Sequence, residues 1–360
     1  MSKVPIQNLY YLLSYAWNHK LQPDDEQDLD ATHCPDLNNF FARILQRGVE
    51  RLLTRGLDRS YIGYEEQTAR IRGSIDFPTS LKRQTHLKGQ LHCRYDELSP
   101  DVLHNRIIKH CLNLLVSDEA VEKTTRTTLR KQLQQFHGVR DSRIHPRDFY
   151  RLQLHRNNRH YRFLLHLCQL IHLSLLPERN QSGKRRFKDF HQDEKHMAWV
   201  FERFVLNFAK SHLPEAQCNA PQLQWQADLF SPECESLLPI MQTDIVIEWP
   251  DHKLILDCKY YADALAKNQH GTERFRTGHL YQLHAYLTND AHKSDTQSSS
   301  GMLLYPTNGY TLSHHFRLHG RHQVQLRTID LNQSWQAIEK QLLGILNSCA
   351  FDEAVGNAKI

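Results

Sequence analysis

Residues 243–261 read TDIVIEWPDHKLILDCKYY, two apolar runs either side of Pro250-Asp251 with ionisable residues at the ends remote from that turn. Short runs of Ile, Val and Leu flanking a Pro-Asp turn predict a pair of antiparallel strands. Centring the turn between Pro250 and Asp251 puts Val246 opposite Ile255, Glu248 opposite Lys253 and Asp244 opposite Asp257. Side chains alternate along a strand, so Lys259 shares a face with both acids. Opposed Cβ atoms sit about 4.5–5.5 Å apart, and two carboxylates that close repel unless a cation lies between them. Carboxylate oxygens suit Mg²⁺, which is therefore the expected cofactor, with Asp244 and Asp257 as ligands and the Cys258 backbone carbonyl as a further one. Such an ion eases deprotonation of a water and polarises a phosphodiester, while Lys259 orients the water or meets charge developing at phosphorus. The Cys258 side chain alternates to the other, packed face and is expected in the core. An Asp-x-Lys triplet alone is a common way for a strand to end at solvent. The facing Asp244 and the matching register single this one out.

These residues need a sheet and helices to hold them. A helical stripe covers 194–213, another covers 275–287 (FRTGHLYQLHAYL), a serine-rich loop is expected at 293–301, and MLLYP at 302–306 reads as a strand. That alternation predicts an α/β domain with a mixed sheet. Arg274 and Arg276, one turn before the helix that carries Gln282, are candidate contacts for an anionic partner such as DNA. Upstream, Leu9, Leu12, Leu13 and Ala16 form one face of a first helix, and a second begins near Pro35-Asp36 with Leu37, Phe40, Phe41, Ile44 and Leu45 at helical spacing. Residues 61–95 carry short alternating runs with Gly, a small antiparallel sheet, and Ser99-Pro100 opens a helix with Leu103, Ile107, Cys111 and Leu114 on one face. The polar, basic RNQSGKRRF (179–187) marks a boundary near 180–186. The division is then an α+β N-terminal domain over 1–185 and an α/β domain over 186–360.

Of 360 residues 40% are hydrophobic and 24% charged, the balance of a globular chain with a sizeable core. The formal charge of +5 counts 24 histidines as neutral, so the surface grows more positive below about pH 6.5 and suits an anionic partner. Between 120 and 163 eleven Lys or Arg face three Asp or Glu, either a track for phosphates or a solvated helix face. Eight cysteines without a CxxC pair fit a reducing, cytoplasmic setting. The apolar run at 9–17 follows a single Lys and is broken by Ser14, so it reads as a helix rather than an export signal. No run reaches the roughly 18–20 apolar residues of a membrane span. No G-x-x-x-x-G-K-[ST] loop occurs, and SGKRRF (182–187) is too short and follows no strand, so no nucleotide-hydrolysing site of its own is expected.

The hairpin resembles the PD-(D/E)xK nuclease core, with Thr243-Asp244 for Pro-Asp and Asp257-Cys258-Lys259 for the (D/E)xK element. The resemblance implies that Glu202, in WVFERF on the preceding helix, joins the metal site. It also implies that Gln282 and Tyr286, the Q-x-x-x-Y pair of the following helix, join the catalytic group. Further pieces, VPIQNLYYLLSYAW (4–17), RGSID (72–76), DELSPDVLHNRIIK (96–109), GTERF (271–275) and GMLLYP (301–306), are similar in order and spacing to the McrC family, the nuclease subunits of McrBC modified-cytosine restriction systems. That resemblance spans nearly the whole chain. It implies a Mg²⁺-dependent DNA endonuclease subunit that cuts only when assembled on an McrB-type AAA+ ring. The ring binds GTP and selects double-stranded DNA with modified cytosine. The N-terminal domain docks into the ring and stimulates its GTPase, through residues expected within 61–95. Two other readings stand beside it: a self-sufficient RecB-like repair nuclease, active without a partner, and a non-catalytic nuclease-fold scaffold that activates a motor. Retention of Asp244, Asp257 and Lys259 argues against the last.

Overall fold

The first helix, α1 (Ile6–Ala16), follows Pro5 and buries Leu9, Leu12 and Leu13 almost completely. The computed structural model describes residues 4–18, 37–175, 194–228, 230–231, 233–261, 265–267, 273–291, 298–307 and 310–348. After α1 come α2 (Leu37–Arg55), β1 (Ser60–Thr68), β2 (Ser74–Ile75), α3 (Phe77–Lys82), β3 (Leu91–Ser99), α4 (Leu103–Ser117), α5 (Lys123–Leu133), α6 (Pro146–Tyr150) and α7 (Arg162–Leu175). Then follow α8 (Glu194–His212), β4 (Gln217–Asn219), β5 (Gln222–Leu223), α9 (Cys234–Leu237), β6 (Met241–Gln242), β7 (Ile245–Glu248) and β8 (His252–Cys258). The last elements are β9 (Leu265–Lys267), β10 (Glu273–Phe275), α10 (Thr277–Ala291), β11 (Ser298–Pro306), β12 (Ser313–Leu318), β13 (His322–Ile329) and α11 (Trp335–Asn347). The chain forms two compact units, one from α2 to α7, the other joining α1 to everything from α8 onward.

In the α2–α7 unit, Phe40, Phe41, Leu45 and Leu52 of α2 are buried in a helical core with Ile107, Cys111 and Leu112 of α4 and Leu167, Cys168 and Ile171 of α7. Helices α2 and α7 approach closely because position 48 is glycine: a Cβ there would stand 2.1 Å from Leu164 Cδ2. From this core projects the expected antiparallel sheet, a ribbon in which β1 and β3 pair from Ser60–Ser99 to Thr68–Leu91, with β2 on the outer side of β3. Gly73 (φ +61) lets the chain turn against β3, where a Cβ would meet Arg94 O at 2.2 Å. Asp76 then caps α3 by accepting the Thr79 N–H at 3.1 Å and pairs with Arg94 at 2.6 Å. At the root of the ribbon, Asn105 donates to Asp58 O and Pro100 O, Tyr161 Oη donates to Asn105 Oδ1, and the Asp58 N–H donates to Tyr161 Oη. Asp101 holds both Arg106 and Arg140. Against the cost of its burial, those guanidiniums keep the Asp101 carboxyl well below the usual carboxylate range.

The other unit is built on a six-stranded sheet of order β12-β13-β11-β8-β7-β4, in which β11 runs parallel to β8 and β13 and the remaining pairs are antiparallel, a mixed sheet as expected. The hairpin pairs in the expected register, Ile245 with Leu256, Val246 with Ile255 and Glu248 with Lys253. Helix α10 covers one face, packing Leu283, Tyr286 and Leu287 on Val246, Ile255, Leu303 and Tyr305. The serine-rich stretch is not all loop, because Ser298–Ser300 open β11. Ser299 donates to Asp290 and Ser300 to Lys253 O, satisfying polar side chains inside a strand, and Gly301 admits the methyls of Leu283 and Leu287.

Helix α1 departs from the 1–185 division. Tyr11 stacks on Trp335 at 4.4 Å, Tyr15 packs on Phe204 and Phe208, and Asn8 donates to Leu331 O and Gln333 O, so α1 is part of the sheet-bearing unit. Periodicity in the sequence reveals an apolar face without naming its partner. The expected linker at 180–186 with SGKRRF (182–187), the helix start at 35–36, Gly271 and Thr272 of GTERF, and residues 293–297 lie outside the described residues. Among the described residues no helix is long and apolar enough to cross a membrane. Truncating Tyr11 to Ala removes an aromatic anchor from the sheet-bearing unit and is expected to cost about 3–5 kcal/mol. Urea unfolding together with limited proteolysis checks this: 194–348 becomes susceptible before 37–175 does.

Candidate active site

Strand β8 lies inside the sheet between β7 and β11, so Leu254 to Cys258 are all buried and Asp257 has no exposure at all. Asp244 stands one residue before β7. The last ladder pair is Ile245 with Leu256, so Asp244 and Asp257 meet one step beyond the ladder. There Asp244 Oδ2 accepts the Cys258 N–H at 2.8 Å, tying the two strand ends together. The Lys259 N–H donates to Leu304 O at 2.9 Å and anchors the residue after β8 to β11. Cys258 is buried, as expected of a core thiol.

The electrostatics are those of crowded acids. Among the described residues Asp257 Oδ1 has no hydrogen-bond partner, and Oδ2 has the Lys259 ammonium at 2.7 Å, an ion pair. Burial first, and then Asp244, push the Asp257 carboxyl up to about 7 in spite of Lys259. Glu202 of α8 is also pushed up to about 7, by burial and then by Asp244, with Arg203 and Lys259 opposing. Asp244 is raised by burial, which outweighs the Cys258 N–H and Lys259. Burial works against a charged Lys259, yet Asp257 and Asp244 keep its ammonium above the usual range.

Lys259 is held from the far side as well. Its Nζ donates to Gln282 Oε1 at 2.9 Å, Gln282 Nε2 donates to Tyr286 Oη at 2.7 Å, and Tyr286 donates to Gln242 O at 2.8 Å. Lys259 can only donate and the Gln242 carbonyl can only accept, while Gln282 and Tyr286 each accept on one side and donate on the other, so the direction of the whole is set. It ends on the backbone two residues before Asp244. The structure thus gathers Asp244, Asp257, Lys259, Glu202, Gln282 and Tyr286. Of the two arginines, Arg274 is exposed on β10, and Arg276 lies with its guanidinium 5.2 Å over the Tyr261 ring.

Sequence reasoning passed over His279 and Tyr305. His279 Nδ1 lies 3.0 Å from the hydroxyl of Tyr305, whose side chain is fully buried. Burial, followed by the charges of Lys259 and Arg276, holds His279 down to about 4. The signal was present: His279, Gln282 and Tyr286 recur at i, i+3 and i+7, one face of a helix.

Among the described residues no three His, Cys, Asp or Glu side chains already close into a metal cage. The donors present nonetheless fit a hard divalent ion. Among the described residues the Asp257 Oδ1 atom has no donor, burial raises the pKa values of three neighbouring carboxyls, and Mg²⁺ commonly takes one or two carboxylates and completes its shell with water.

Fold and site define a protein whose mixed sheet delivers paired acids and a lysine to the end of one hairpin, with an all-oxygen donor set suited to Mg²⁺. The chain belongs to the McrBC 5-methylcytosine restriction system component family, whose model matches residues 3–306. It is 32% identical over 345 residues to the Type IV methyl-directed restriction enzyme EcoKMcrBC of Escherichia coli strain K12, across 96% of this chain and 97% of that protein. Its fold is similar to a chain in the refined half-complex from the tetradecameric assembly of Thermococcus gammatolerans McrB AAA+ hexamers with bound McrC. There the TM-score is 0.58 at 18% identity, over 96% of this chain and 76% of that one.

A raised carboxyl pKa in the folded state means that folding favours the proton. The stability due to protonated Asp257 is present in full below about pH 4 and is lost as pH rises through about 7. In EDTA, Asp257→Asn is therefore expected to melt higher than the parent at pH 8 and to flatten the dependence of melting on pH between 5 and 8 by about one proton. Thermal melts of both proteins across that range decide it. Equal slopes would mean that Asp257 is ionised throughout.

Proposed function

We propose that the chain is the Mg²⁺-dependent DNA endonuclease subunit of an McrBC-type complex, assembled on an AAA+ GTPase ring that selects double-stranded DNA with modified cytosine. The observation that carries this reading is the Asp257 carboxylate, buried without a donor to Oδ1 beside Asp244 and Lys259. Asp244 and Asp257 would hold the ion, with the Cys258 carbonyl and Glu202 completing the protein's share. When bound, Mg²⁺ supplies a Lewis acid for a phosphodiester and acidifies a water. The chain's own part is to place Lys259. The Gln282–Tyr286–Gln242 chain keeps its ammonium beside Asp257, where it orients the attacking water or meets charge growing on the phosphate. Burial and Asp244 raise the Glu202 carboxyl, a cost that a cation bound beside it would offset.

The ribbon β1–β3 is the proposed surface that engages the ring and stimulates its GTPase. Tyr61 is 71% exposed and pairs across the ribbon with Leu98, itself exposed, so apolar side chains stand where they contribute nothing to the chain's own core. The partner supplies the GTP site.

Co-expression with the GTPase partner, followed by GTP-dependent cleavage of methylated duplex DNA, tests the assignment. Asp257→Ala is expected to lose cleavage by about a hundredfold or more while still stimulating GTP hydrolysis. Tyr286→Phe, which keeps the ring and removes the hydroxyl that ends the Lys259 chain, is expected to lower kcat about tenfold with little change in KM. Cleavage by Asp257→Ala at the parental rate in Mg²⁺ would sink the site. Activity of the isolated chain without partner or GTP would favour a self-sufficient nuclease. Replacing Tyr61 and Leu98 together by Ala should leave folding intact and lower stimulation of the partner's GTPase. Full stimulation by that variant places the docking surface elsewhere.

A further inference from the structure

We infer that His279, together with Arg276 and Tyr261, seats a backbone phosphate of the substrate strand next to the scissile bond, and that the buried Tyr305 hydroxyl positions the imidazole for it. The inference rests on the nuclease reading above and adds a substrate contact that the acids and Lys259 do not supply.

The four residues form one group. The His279 ring centre lies 4.9 Å from that of Tyr261, and the Arg276 guanidinium sits over the Tyr261 ring, 5.2 Å from its centre. Tyr261 is 41% exposed and Arg276 and His279 are half-buried, so the group has an open side. Tyr261 follows Lys259 by two residues, and His279 precedes Gln282, the acceptor of the Lys259 ammonium, by one helical turn. The cluster is therefore continuous with the proposed catalytic lysine. His279 feels the charges of both Lys259 and Arg276, and Tyr305 feels that of Asp257, which sets the cluster within electrostatic range of the acids.

The chemistry favours a phosphate. The Arg276 guanidinium, the neutral His279 imidazole and the Tyr261 ring converge there at the first turn of α10. The partial positive charge of a fifteen-residue helix adds to the same field. A fully buried phenol needs a hydrogen-bond partner, and Tyr305 has His279 Nδ1. An arriving anion selects the tautomer in which Tyr305 donates to Nδ1 and Nε2 carries the proton, a neutral N–H donor whose ring orientation is fixed from below. Arg276 contributes charge and His279 contributes direction.

The test uses the full chain assembled with its GTPase partner and a methylated duplex as probe. His279→Leu is expected to raise KM about tenfold with kcat within about threefold, and His279→Gln, which keeps an N–H donor, to recover most of that loss. Tyr305→Phe should fall between them, and Arg276→Gln should reduce the slope of log KM against log salt by about one. Melting temperature and GTPase stimulation are measured in parallel. An unchanged KM in His279→Leu, or a His279→Gln as impaired as His279→Leu, overturns the inference. Asp257→Ala separates it from its foundation. If that variant still cuts, the nuclease centre itself is misassigned; if it is inactive while His279→Leu keeps the parental KM, the phosphate contact alone falls.

Discussion

A carboxylate with no solvent and an unpartnered oxygen is the constraint around which the sheet-bearing unit is arranged. An ionised acid in an apolar interior is costly by several kcal/mol unless a proton, a cation or hydrogen-bond donors compensate it. Asp257 sits in an interior strand, so backbone cannot move aside to hydrate it. Among the described residues Lys259 alone answers it, and Asp244 and Glu202 add negative charge nearby. The result is a group whose charge state depends on what binds beside it. That dependence is poor design for a core and is what the proposed nuclease centre would use.

The lysine shows how the same site is kept in shape when its acids repel. A flexible four-carbon side chain would ordinarily sample many rotamers, and a single ion pair restrains it weakly. Here it also donates to Gln282, which is fixed by Tyr286, which ends on a carbonyl two residues before Asp244. The ammonium and the first acid are thereby referenced to one backbone segment. Tyr286 belongs to the hydrophobic cluster under α10, so packing of the helix on the sheet is what holds the polar chain in line.

The ribbon in the other unit follows a different logic. Its sequence motifs look chemical but work on the backbone: Gly73 permits a close turn, Asp76 caps α3 and holds Arg94, and Asn105 and Tyr161 close the hydrogen bonds of the root. A rigid root under an exposed ribbon is what allows Tyr61 and Leu98 to face outward without collapsing inward. Restriction-system membership gives that exposed surface a context, and the exposure itself is a property of the fold.

Strand pairing was legible in the sequence, since side-chain alternation and a Pro-Asp turn leave only one register that keeps Val246, Ile255 and the two acids on a common face. The mixed sheet followed from the alternation of elements and the helical stripes from local periodicity, while the family resemblance singled out Gln282 and Tyr286, which periodicity puts on one helical face. What periodicity could not supply was the partner of each buried face. Helix α1 was visible as apolar, but its place against Trp335 and Phe204 depends on contacts between residues more than 180 positions apart. The same holds for Ser298–Ser300, whose composition reads as loop until Asp290 and Lys253 satisfy them within β11. It holds for His279, an ordinary helical histidine until Tyr305 arrives beneath it. Sequence alone determined which side chains share a face, because that is set by the geometry of one strand or helix. Which faces meet, and hence which charges lose their water, only the tertiary structure decided, because desolvation belongs to the packed whole.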